Sequence, residues 1–73
     1  MGSKYPVLPP DKILRALKEF GFEKISQKGS HIKLKNPDGK VVIVPLHYEI
    51  AKGTLKSILE QAGISLEEFK KHL

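Results

Sequence analysis

Apolar positions follow two different periods along this chain. Ile13, Leu14, Leu17 and Phe20 recur at helical spacing, and so do Leu55, Ile58, Leu59 and Ala62. Between them, His31 to Lys35 alternates strictly, with Ile32 and Leu34 on one side and His31, Lys33 and Lys35 on the other. Val41 to Val44 is an unbroken β-branched run, closed by Pro45. The pattern predicts a helix over about 11–20, strands over 31–35 and 41–44, and a helix over about 52–62. A weaker strand is expected over 22–27, where Ile25 is the one clear β-former after Phe22.

The punctuation agrees with these periods. Pro9-Pro10-Asp11 suits the opening of a helix, because proline is tolerated in the first turn and an acid favours the positive end of the helix dipole. Gly21 and Gly63 stand where helices commonly end in a left-handed turn. Ser65 and Glu68 have the spacing of a capping box for a short last helix over 66–72, with Ile64 and Phe69 placed as a staple. The second helix lacks a capping side chain just before Lys52. Residues 1–8 read as an extended lead-in, of which Met1-Gly2-Ser3 reads equally as a cloning remnant. The order is α-β-β-β-α(-α), an α+β class: a three-stranded antiparallel sheet with helices on one face, in a single domain spanning 1–73.

The turn between the second and third strands decides which side chains share a face. Asn36-Pro37-Asp38-Gly39 suits a type I turn with a glycine bulge, which pairs Asn36 with Lys40. Ile32, Leu34, Val42 and Val44 then face the helices. His31, Lys33, Lys35, Val41 and Ile43 face away, joined by His47 if the strand direction survives Pro45. A two- or four-residue loop would reverse the assignments on the third strand. In every register His31 keeps company with Lys33 and Lys35.

Charge gives this face a meaning. Thirteen Lys and Arg against eight Asp and Glu leave a net +5, which draws the chain toward polyanions, nucleic acid foremost. No apolar stretch approaches the roughly 20 residues of a membrane span. Cysteine is absent, which excludes a thiolate nucleophile and thiolate metal sites, and fits a cytoplasmic location. Walker-type and GxGxxG loops, HExxH and close His/Asp clusters are likewise missing. No cofactor is expected.

An imidazole among ammonium groups is suited to one reaction in particular. Cleaving RNA requires a base for the 2′-hydroxyl, cations for the charge building at phosphorus, and an acid for the leaving 5′-oxygen. DNA lacks the internal nucleophile and would be spared. On the residues alone, His31 remains either an exposed polar side chain or a catalytic one. His47 is either a loop brace or a direct participant, and Lys28, Lys33 and Lys35 are either phosphate contacts or a solvated hairpin face. Gly53 and Thr54, in the first turn of the second long helix, either offer amides to a phosphate or reflect close packing on the sheet. Val41 and Ile43, apolar on an open face, point to a covering partner or to another register.

Phe20-Gly21-Phe22, Lys28-Gly29-Ser30-His31, Pro37-Asp38-Gly39, Val44-Pro45-Leu46-His47, Lys52-Gly53-Thr54-Leu55 and Gln61-Ala62-Gly63-Ile64-Ser65 run through nearly the whole chain. In order and spacing this set resembles the HicA family of toxins from toxin–antitoxin pairs. The resemblance implies a fold like the double-stranded RNA-binding domain and metal-independent endoribonuclease activity on mRNA. It places the family's catalytic histidine at His31 and implies a HicB-type antitoxin that masks the His31 face. Around that histidine, Lys28, Gly29, Ser30, Lys33 and Lys35 are the expected RNA contacts and His47, Gly53 and Thr54 possible auxiliaries; neither a membrane nor DNA is expected as a partner. The segment between His47 and Lys52 is short compared with some members. Two rival functions remain: a non-catalytic RNA-binding module, and a protein-interaction module with a basic face. Lys52 and Lys56 fall short of the lysine cluster that ordinary double-stranded RNA-binding domains place at this helix, which weighs against the first.

Overall fold

The computed structural model describes residues 5–73; the first four residues of the expected lead-in, including Met1-Gly2-Ser3, lie outside the described residues. The elements are α1 (Pro10–Lys18), β1 (Glu23–Lys28), β2 (His31–Lys35), β3 (Val41–Pro45), α2 (Lys52–Ala62) and α3 (Leu66–Lys70). The strands form an antiparallel sheet in the order β1-β2-β3. This is the expected α-β-β-β-α(-α) arrangement, with boundaries shifted by one or two residues.

The helix ends shorten for a physical reason. After Lys18 the chain tightens to three-residue hydrogen bonds, and Gly21 then turns left-handed at φ 86°. The Phe22 amide donates to the Leu17 carbonyl (3.2 Å) and the Gly21 amide to that of Lys18 (3.0 Å), which caps the helix as a Schellman motif. α2 ends the same way: Ile64 donates to Leu59 (3.0 Å) and Gly63, at φ 72°, to Glu60 (3.3 Å). In α3 the Ser65 hydroxyl accepts from the Glu68 amide (3.2 Å), but the Glu68 carboxylate pairs with Lys71 (3.1 Å) rather than closing the reciprocal half of a capping box.

The core is one apolar cluster. α1 contributes Ile13, Ala16 and Leu17; β2 and β3 contribute Ile32, Leu34, Val42 and Val44; α2 contributes Leu55, Ile58, Leu59 and Ala62. Phe22, Ile50 and Phe69 complete it, and no buried polar or charged side chain occurs among the described residues. Phe69 is fully buried, with Ile64 packed beside the cluster. The lead-in is tied down as well, since Ile50 donates to the Leu8 carbonyl (2.7 Å) just ahead of α2.

The β2–β3 turn adopts the expected register. Gly39, at φ 87°, donates to Asn36 (3.0 Å), and Asn36 donates to the Lys40 carbonyl (3.0 Å). The Asn36 Oδ1 accepts from the Lys40 amide (2.8 Å). Lys35 therefore pairs with Val41, Lys33 with Ile43 and His31 with Pro45. Both helices end against this turn: a Cβ on Gly21 would lie 3.1 Å from Pro37 Cδ, and one on Gly63 3.1 Å from Lys40 Cε.

β1 departs from the simple picture. Every one of its residues is exposed, so the strand buries neither face. The helices pack against β3, leaving β1 as an overhanging edge. A bulge between Lys24 and Ser26 expels Ile25 from the ladder, and its side chain is half exposed. The bulge also resets the alternation. Ser26 and Lys28 lie on the open face opposite Lys33 and His31, while Lys24 pairs with Leu34 on the other.

Candidate functional site

The geometry around His31 begins with a two-residue hairpin. Lys28 pairs with His31 across the β1–β2 ladder, leaving Gly29 and Ser30 as the turn. Gly29 sits at the first central position with φ 58°, whereas Ser30 keeps a negative φ; this is the pattern of a type II′ turn, which favours glycine there. The Gln27 side-chain amide donates to the Gly29 carbonyl (3.2 Å) and its oxygen accepts from Lys24 Nζ (2.7 Å), bracing the same turn. In Gly29-Ser30-His31, then, the first two residues reverse the chain and the third opens β2.

From that position His31 faces away from the helices. A surface depression of about 620 Å³ is lined by Ser26 and Lys28 of β1, His31 and Lys33 of β2, and Ile43 of β3. The sheet alone builds it. Lys33 lies across from Ile43 in the same parity as the His31–Pro45 pair, where side chains approach most closely. Val41 and Ile43 remain 36% and 45% exposed, so the open face carries an apolar strip along β3 beside its cations.

His47 reaches the same place. The ladder continues past Pro45, because the Leu46 amide donates to the Ser30 carbonyl (2.6 Å). Since residues 46 and 30 hydrogen-bond and so do 40 and 36, residue 45 falls in a non-hydrogen-bonded position. Its missing N–H points off the sheet edge and costs the β2–β3 ladder nothing. The strand direction therefore survives Pro45, and the His47 ring lies 6.4 Å from that of His31, centroid to centroid, at 73°. Among the described residues, neither ring takes part in a hydrogen bond.

The other expected residues are spread around this centre. Lys35 shares the face but lies four residues along β2, roughly 13 Å from His31; it borders a separate crevice with Asn36 and Pro37. Gly53 and Thr54 occupy the first turn of α2 and do not line the depression. A Cβ on Gly53 would meet nothing within 4 Å, so close packing does not explain that glycine. Ser26 is an addition to the expected residues; the Gly29-Ser30 turn sets its side, by pairing Lys28 with His31 and hence Ser26 with Lys33. His72 packs edge-on against Phe20 at 4.8 Å, away from the sheet.

Among the described residues, no three His, Cys, Asp or Glu side chains converge as a metal site would require. No described helix is long and apolar enough to cross a membrane. The depression supplies one imidazole, two flanking ammonium groups and a hydroxyl, and the His47 ring stands outside its lining, 6.4 Å from that of His31; these are components for binding a phosphodiester and moving protons around it.

Comparison with known families matched residues 10–64 to the family described as the HicA toxin of bacterial toxin–antitoxin. The matched stretch begins with α1, runs through the sheet and ends just after α2, with α3 beyond it. No curated protein matched the chain.

Proposed function

From membership of the HicA toxin family, to which this chain belongs as the toxin of a toxin–antitoxin pair, we propose that it is a metal-independent endoribonuclease that cleaves mRNA in the cytoplasm, with His31 as its general acid–base group. The observation that carries this reading is the position of His31. It is an exposed imidazole in a concavity shared with Lys28 and Lys33, on the sheet face the helices leave open.

Each part of the site has a task. Lys28, directly across from His31, and Lys33, two residues along β2, hold the scissile phosphate and offset the charge gathering on its oxygens. Gly29 and Ser30 fix the turn that aims the imidazole. Lys35 contacts a phosphate farther along the strand. His31 takes the proton of the 2′-hydroxyl, whose oxygen attacks phosphorus. The dependence on that hydroxyl restricts the reaction to RNA.

The antitoxin of the pair, of HicB type, is proposed to cover this face. The exposed Val41 and Ile43 provide an apolar strip along β3 with Lys33 and Lys35 beside it on β2, an arrangement that suits a protein interface.

The decisive experiment compares wild type and His31→Ala on single-stranded RNA in the presence of a chelator. Wild type cleaves; the variant loses about 10²–10⁴-fold in rate while its circular dichroism spectrum is unchanged. Undiminished cleavage by the variant, or RNA binding without cleavage by wild type, refutes the assignment.

A further inference from the structure

Transesterification needs two proton transfers on opposite sides of phosphorus, one from the 2′-oxygen and one to the 5′-oxygen. Building on the reading of His31 as a ribonuclease residue, we propose that His47 is a second catalytic residue, the general acid that protonates the leaving 5′-oxygen, and that His31 acts as the base.

Three observations carry this. The rings stand 6.4 Å apart and 73° from coplanar, too far to bond each other and not stacked. At that separation the phosphate does not fit on the line between the rings; lying across the open side of the pair, it can receive a hydrogen bond of about 2.8 Å from one ring at its attacking oxygen and from the other at its leaving oxygen. Second, His47 is exposed, and among the described residues its ring holds no hydrogen bond, so it does not brace the loop. Third, its place is built rather than incidental. The Leu46–Ser30 hydrogen bond extends the ladder beyond Pro45, and strand parity then returns residue 47 to the His31 face.

The remaining groups around the depression are less suited to this step. Lysine is a poor proton donor near neutrality, where imidazole titrates. In the proposed reaction the 2′-O–H proton passes to His31 as the 2′-oxygen bonds to phosphorus. The bond from phosphorus to the 5′-oxygen breaks, and the His47 imidazolium gives its proton to that oxygen. The products are a 2′,3′-cyclic phosphate and a 5′-hydroxyl, and the histidines return to their starting states by exchange with water.

A general acid becomes dispensable when the leaving group needs no proton. Once a cleavage site is mapped, the test uses two versions of a short RNA containing it, one natural and one with sulfur in place of the bridging 5′-oxygen. His47→Ala is expected to slow cleavage of the natural RNA by about 10²–10⁴-fold and to cut the sulfur-bridged RNA at close to the wild-type rate; His31→Ala loses both. Unchanged cleavage of the natural RNA by His47→Ala overturns the proposal, and so does equal slowing on both substrates. Rescue of His31→Ala in place of His47→Ala overturns the division of roles. If wild type yields no cleavage site to map, the ribonuclease reading itself fails.

Discussion

Lys28 and His31 stand directly opposite one another across the β1–β2 ladder, joined by a turn of only two residues. So short a connection fixes the two backbone positions, and the Lys28 ammonium swings on its flexible stem from a base directly across from the imidazole. Lys33 lies beside the pair on the same face.

Removal of these cations should have distinguishable effects. In a His31→Ala background, where bound RNA stays intact, Lys28→Ala and Lys33→Ala should each weaken single-strand binding. Each should also lower the slope of log K against log salt by roughly 0.7. With His31 restored, both should slow cleavage at saturating RNA. Lys35→Ala should weaken binding while leaving that saturated rate near wild type, because Lys35 lies at the far end of β2. Titration at several salt concentrations, followed by single-turnover cleavage, checks both expectations.

The glycines separate conformational demand from packing demand. Gly21 and Gly29 both have positive φ, but only at Gly21 would a Cβ meet a neighbour, Pro37 Cδ at 3.1 Å. Gly29→Ala should cost about 1–2 kcal/mol, the penalty of a left-handed alanine. Gly21→Ala should cost more, because it also pushes the β2–β3 turn away from the end of α1. Urea denaturation of the two variants decides the order; equal losses would mean that the Pro37 contact contributes nothing.

The exposed strip on β3 should matter to the antitoxin and little to the fold. Ile43→Asp changes a 45% exposed side chain outside the core cluster, so folding stability should shift by no more than about 0.5 kcal/mol. Affinity for the co-expressed antitoxin should fall at least tenfold, because a carboxylate replaces an apolar contact in the proposed interface. Calorimetric titration with the antitoxin measures this, and unchanged affinity would place the interface elsewhere.

Much of this arrangement was legible from local chemistry. The alternation from His31 to Lys35 could be read because β2 buries one face and exposes the other. The hairpin register could be read because Asn36, Pro37 and Gly39 each meet a distinct demand of the turn. β1 was harder. It buries neither face, so Glu23 to Lys28 carries no hydrophobic period, and the bulge at Ile25 that breaks its alternation leaves no mark in the residue pattern. His47 depended on whether a strand could pass through proline, which is settled by the parity of hydrogen bonds around Pro45 rather than by any residue preference. The boundaries of α1 and α3 differed because their last turns tighten before capping, which apolar spacing does not record.

The bare flanks of β1 set an unequal durability within the molecule. Ser26 and Lys28 ride on a strand held chiefly by its backbone ladder to β2, whereas His31 and Lys33 belong to a strand backed by the packed interior. Fraying of that margin separates Lys28 from the imidazole while the interior stays shut. On the proposed reading, the hold on RNA is lost well before the domain melts.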